Sequence, residues 1–232
     1  MKYIQKKGPP GNYIAWVKSV RNTLNENYGC LRNPEKNDLH KKLLEEQGWL
    51  CAYTMKKIDL SNSHIEHIKP ECICRKEAKG SDLNYRNMVA CFPDKGMKSK
   101  YRYGAQAKGK WWKNGGADFV SPLDNNCEKY FRFDIEGHVI PIGRKAVVTI
   151  GVLLLNHESL AEDRMGVIND WINGNTKLTK SKTKHYIKTI CDRNPDGSYT
   201  EFCIAIKWAL IEYAKQLEKL AKKSKYCKKG IH

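Results

Sequence analysis

The chain has 232 residues, 41% of them hydrophobic, which is enough for a packed core and argues against wholesale disorder. Lys and Arg number 42 against 25 Asp and Glu, a net charge of +17 that points to a polyanionic partner, nucleic acid first. The longest apolar run, 146–155, is too short to cross a bilayer, no secretory signal is visible, and nine scattered cysteines argue against a disulfide framework. The expectation is a cytoplasmic protein with reduced thiols and no membrane partner.

In chain order, Pro9-Pro10-Gly11-Asn12 starts a helix that carries Tyr13 to Val20. A second helix is expected over 39–50, anchored by Leu43, Leu44 and Leu50. Residues 51–70 turn short and strand-like, and 71–116 are rich in Lys and Gly with little periodicity beyond 83–89. Glu136-Gly137 between two β-favouring runs predicts a hairpin over 130–142. Asn156 is placed to cap a helix running through Trp171, residues 184–191 look helical, and Asn194-Pro195-Asp196-Gly197 reads as a turn. The longest helical pattern spans 199–223, with Phe202, Ile206, Ala209, Leu210, Tyr213, Leu217 and Leu220 on one face. The organisation is three stretches: an N-terminal helical segment (1–50), a central unit (51–116), and a hairpin with a C-terminal helical region (117–232).

The most informative stretch is Ser63-His64-Ile65-Glu66-His67-Ile68-Lys69-Pro70. An imidazole near neutrality is a natural general base for water, and an adjacent carboxylate can hold a divalent cation against a phosphate. In a strand, Glu66 and His67 point to opposite faces, so one site can use both only if the strand ends there, as Pro70 allows. His64 is read as structural, and His138, His157 and His185 stand apart from any acid–Asn context. Residues 93–115 mix Lys95, Lys98, Lys100, Arg102, Lys108, Lys110 and Lys113 with Tyr101, Tyr103, Trp111 and Trp112, which suits a nucleic-acid groove. The adjacent tryptophans themselves are read as core or partner-docking residues, and the C-terminal Lys run at 222–229 as a solvated face.

The order acid-His, then Asn87-Met88-Val89, then Lys108-Gly109 resembles the HNH endonucleases. Met1-Lys2-Tyr3-Ile4, Cys51-Ala52-Tyr53, His64-Ile65-Glu66-His67, Tyr85-Arg86-Asn87-Met88-Val89 and Leu153-Leu154-Leu155-Asn156 are similar to the PtuB-like branch of that family. The resemblance implies an α+β protein whose ββα-metal core is embedded in a mostly helical single domain. It implies that His67 is the general base, that Asn87 orients it through a side-chain or backbone hydrogen bond, and that Glu66 ligates Mg²⁺ or Mn²⁺. Lys100, Arg102, Lys108 and Lys110 would bind nucleic acid, with DNA favoured over RNA or tRNA. The partners implied are a PtuA-like ABC-type ATPase and a retron reverse transcriptase with its RNA/DNA product, in an antiphage defence complex.

Two departures from the family pattern stand out. The first cysteine pair is broken at Cys51-Ala52-Tyr53-Thr54, so a structural zinc site built from Cys51, Cys72, Cys74 and Cys91 is not demanded by spacing, and free thiols are the default. Ala105 and Gln106 stand where a closing metal ligand usually falls, so the ligand is either the Gln106 amide or a residue from elsewhere, Asp94 being one substitute. The alternative reading is a degenerate nucleic-acid-binding adaptor subunit of the ATPase complex.

Overall fold

The computed structural model describes residues 1–97, 101–174 and 178–229. Extended backbone at Pro10 leads into α1 (Gly11–Val20), as expected, and α1 buries Tyr13, whose hydroxyl donates to the Leu83 carbonyl at 2.6 Å. Helix α2 (Glu35–Glu46) buries Leu39, Leu43 and Leu44. It stops short of the expected 39–50 span because the chain turns left-handed at Gly48 (φ +58°) and Trp49. A Cβ at position 48 would lie 2.4 Å from the Tyr199 ring, so both conformation and space require glycine there. Leu50 then bridges Lys57 instead of anchoring a helix.

Within the strand-like stretch 51–70, only β1 (His64–His67) is regular strand, and it pairs antiparallel with β2 (Met88–Cys91) in the register His64↔Cys91, Glu66↔Val89 and His67↔Met88. Between them lie α3 (Glu71–Glu77) and two single 3-10 turns, Ser81–Leu83 and Tyr85–Asn87. Helix α3 escaped the periodicity reading because only Cys74 of its seven residues is buried, while an Arg75–Glu71 ion pair braces its outer face. One turn of helix, α4 (Ala105–Lys108), packs beside β1 through Lys108 and leads to Trp111 and Trp112, both partly buried against the core.

The predicted hairpin is present as β3 (Phe131–Phe133) and β4 (Val139–Pro141), followed by α5 (Arg144–Leu153) from the apolar run. Asn156 does not cap the next helix. It clamps β4, accepting from the Val139 amide at 2.7 Å and donating to the Val139 carbonyl at 3.0 Å, while His157 precedes α6 (Glu158–Asn173). Fully buried Arg164 ties these parts together through the Gly137 and Leu155 carbonyls, both at 2.6 Å. Helices α7 (Lys180–Thr189) and α8 (Cys203–Lys229) complete the chain. On the expected α8 face, Phe202, Ile206, Ala209 and Leu210 are buried and Tyr213 and Leu217 half-buried, and Leu220 lies outside the described side chains.

The architecture is thus α+β, with two small antiparallel sheets set among helices. Residues from all three sequence stretches join one hydrophobic core, from Met1 and Leu44 through Met88 and Val89 to Ile206 and Leu210. Among the described residues no helix is long and apolar enough to cross a membrane.

Candidate functional site

A cavity of about 420 Å³ opens along β1, lined among others by Tyr28, His64, Glu66, His67, Cys72, Gln106 and Lys110. Strand alternation places His64 and Glu66 on one face, and the strand ends at His67, whose side chain therefore reaches the same cavity. The contradiction between neighbouring residues and a shared site is resolved by the strand's end, as Pro70 suggested.

His67 is 6% exposed, and its Nε2 lies 2.8 Å from the Asp82 carbonyl. A carbonyl only accepts, so Nε2 carries the proton and Nδ1 holds the lone pair in the neutral ring. The carbonyl is fixed because the fully buried Asp82 carboxylate accepts from the Tyr28 amide at 2.9 Å and pairs with Arg75 Nε at 2.9 Å. Tyr28 also packs edge-on against the His67 ring, with centroids 4.7 Å apart. Burial lowers the His67 pKa, outweighing the opposing pull of the Asp82 carbonyl and the Glu66 charge, so the ring is neutral near pH 7.

Glu66 is held by Lys108, whose Nζ lies 2.8 Å from Oε1 and 3.0 Å from the His67 carbonyl. Burial opposes ionisation of Glu66, but the His64 and Lys108 contacts outweigh it and keep the carboxyl below its ordinary pKa. The second oxygen, Oε2, lies 3.8 Å from His64 Nε2, and His64 Nδ1 is 2.5 Å from the Pro93 carbonyl. His64, expected to be only structural, is therefore part of the site wall.

Asn87 differs from expectation. Its side chain does not reach His67 but grips the backbone two residues on, with Oδ1 accepting from Lys69 N at 2.8 Å and Nδ2 donating to the Lys69 carbonyl at 2.9 Å. Its own carbonyl accepts from Ile68 N at 2.9 Å, so it braces the exit of β1 and positions His67 indirectly. Gln106, half-buried on α4, lines the same cavity as Glu66. A carboxylate with one oxygen turned from Lys108 and an amide oxygen at one cavity wall are a donor set that fits a hard divalent cation.

The basic residues divide sharply. Lys108 is not available to nucleic acid, because its side chain is wholly buried and spent on Glu66. Arg102 and Lys110 are exposed, Lys110 at the cavity wall, and Lys100 lies outside the described residues. The four cysteines do not gather. Cys51 and Cys91 are buried side by side, Cys74 contacts Asn87 at 3.5 Å, and Cys72 is exposed at the cavity. Among the described residues, the group whose metal-capable atoms all lie within 4.8 Å is instead Asp134, Glu136 and His138 at the hairpin tip, a group that could hold a metal ion. His138 therefore does have acidic neighbours, with Nδ1 at 3.2 Å from Asp134 and 3.7 Å from Glu136. The alternation Asp134-Ile135-Glu136-Gly137-His138 was the sequence signal for it.

No protein-family model matches the chain, and no curated protein matches it either.

Proposed function

We propose that this protein is a metal-dependent HNH-type endonuclease that hydrolyses nucleic-acid phosphodiester bonds. The observation that carries the reading is the fixed tautomer of His67, with Nε2 on the Asp82 carbonyl and Nδ1 left as the basic nitrogen at a cavity that also holds the Glu66 carboxylate. The antiparallel β1–β2 pair followed by α4 is the order a ββα-metal core requires, exposed Lys110 supplies a cation at the cavity wall, and Arg102 is a second exposed cation on the segment leading into α4.

In this mechanism His67 Nδ1 takes a proton from a water, the water oxygen attacks phosphorus, and the bond from phosphorus to the leaving oxygen breaks in line. Glu66 and Gln106 would hold Mg²⁺ or Mn²⁺, which when bound neutralises charge growing on the phosphate and leaving oxygen. Lys108 keeps Glu66 ionised and oriented, Asn87 keeps the strand exit rigid, and Arg102 and Lys110 neutralise flanking phosphates. By resemblance, the protein works in the cytoplasm as the effector of an antiphage complex with a PtuA-like ATPase and a retron reverse transcriptase and its RNA/DNA product, with DNA the favoured substrate and RNA or tRNA the alternative.

One observation favours a second reading. The Lys108 ammonium already neutralises Glu66, as a site that grips phosphate without cutting would allow. That reading makes the chain a nucleic-acid-binding adaptor of the ATPase.

The test is cleavage of plasmid DNA and total RNA with Mg²⁺ or Mn²⁺, alone and with the ATPase, comparing wild type with His67→Gln. Glutamine retains a donor for the Asp82 carbonyl but has no base, so cleavage should fall about 10²–10⁴-fold with the fold intact. Wild-type rates in His67→Gln would overturn the mechanism, and no cleavage by wild type under any condition, with nucleic acid still bound, would establish the adaptor.

A further inference from the structure

We infer that His64, through Nε2, is a ligand of the same divalent cation as Glu66, and that this imidazole makes the site prefer Mn²⁺ to Mg²⁺. The inference deepens the nuclease reading and rests on its cation site.

Three features assign the role. First, His64 Nδ1 lies 2.5 Å from the Pro93 carbonyl, which can only accept, so Nδ1 carries a proton and in the neutral ring Nε2 presents a lone pair. A ring pinned through one nitrogen by a carbonyl, with the other nitrogen free, is the arrangement that orients histidine metal ligands. Second, that nitrogen faces Glu66 Oε2 at 3.8 Å, too far for a hydrogen bond. A separation of this size is less than twice a metal–donor bond of roughly 2.1 Å, so both atoms can reach one ion with little movement. Third, Lys108 occupies only Oε1, which turns Oε2 toward His64 rather than away from it. The ring is 9% exposed and lines the cavity shared with His67 and Gln106.

The chemistry follows from the donors. Mg²⁺ is hard and selects oxygen, whereas an imidazole nitrogen suits first-row transition ions, so a His–Glu pair shifts selectivity toward Mn²⁺. His64 also compensates for Ala105, where the resemblance expected a closing ligand.

The experiment titrates Mn²⁺ and Mg²⁺ into the full chain by calorimetry and records electron spin-echo modulation of bound Mn²⁺. The variants are His64→Asn, whose amide still reaches the Pro93 carbonyl but lacks Nε2, and His67→Gln. Wild type should show imidazole ¹⁴N modulation and bind Mn²⁺ about tenfold or more tightly than Mg²⁺. His64→Asn should lose the modulation and most of that preference, and His67→Gln should keep both. Melting in EDTA checks that each variant is folded, and His138→Asn removes the imidazole of the hairpin-tip group. Modulation that persists in both His138→Asn and His67→Gln therefore decides for His64 even if His64→Asn does not fold, whereas modulation lost in His138→Asn overturns the assignment. Bound Mn²⁺ without imidazole modulation, or modulation that disappears with His67→Gln and survives His64→Asn, overturns the assignment. His67-dependent cleavage alongside that result leaves the nuclease reading standing. Modulation that depends on His64 without any His67-dependent cleavage upholds the ligand and removes the nuclease.

Discussion

Lys108→Met isolates the most unusual feature of the site, a lysine with no exposed side-chain surface paired to a carboxylate that is 16% exposed. Methionine keeps the aliphatic stem, so the packing loss is small and the change is mainly electrostatic. The variant leaves Glu66 charged without its ammonium and the His67 carbonyl without its donor at 3.0 Å. Removing one partner of a fully buried pair costs about 3–5 kcal/mol. Access of Glu66 to the cavity lowers that, and we expect about 2–3 kcal/mol. For a chain of this length each kcal/mol moves Tm by roughly 2–4 °C, so the melting point should drop by about 4–12 °C. Two controls make the reasoning strict. Glu66→Gln in the Lys108→Met background should recover much of the loss, because no unpaired charge remains. Mn²⁺ should raise Tm more in Lys108→Met than in wild type, since a cation bound only by the folded state stabilises it and Lys108 no longer competes for Glu66. The assay is thermal melting in EDTA and in millimolar Mn²⁺. An unchanged Tm in Lys108→Met, or additive losses in the double variant, would refute the claim that Lys108 holds Glu66.

Three further outcomes are expected. Asn87→Ala removes both side-chain bonds to the Lys69 backbone and should cost about 2 kcal/mol in urea unfolding, with wild-type stability counting against the brace. His40, buried against Ser63, has its pKa lowered from 6.5 to about 4, chiefly by burial. The folded state thus binds this proton less readily than the unfolded chain, and the stability it contributes is present above pH 6.5 and lost as pH falls toward 4. Between pH 7 and 5 that loss should be about 2 kcal/mol, absent in His40→Gln; equal pH slopes in the two proteins would contradict it. Arg102→Gln and Lys110→Gln should each lower the salt dependence of nucleic-acid binding by about one unit of slope, uniformly across sequences, and an unchanged slope would take those residues off the phosphate path.

The hairpin, the helices α1, α6, α7 and α8, and the pairing of Glu66 with His67 were legible because local rules write them. Pro and Gly mark boundaries, alternation marks β3, and apolar spacing marks α8. Helix α3 was not legible, because an ion pair and position rather than an apolar stripe sustain it. The partition of the basic residues was also hidden, since composition cannot distinguish an exposed Lys110 from a buried Lys108 forty-two residues distant from its partner Glu66.

The amino-acid order by itself determined a strongly basic, core-forming chain with an acid–histidine pair at a strand's end, because charge, apolar content and strand punctuation are local properties. Only the tertiary structure decided which nitrogen of His67 is free, that Asn87 braces Lys69 rather than His67, and that His64 shares the face of Glu66 beside Lys108. Those facts depend on Asp82, Pro93 and α4, segments brought to β1 by the burial of a common core, and a long-range contact leaves no periodic trace in sequence.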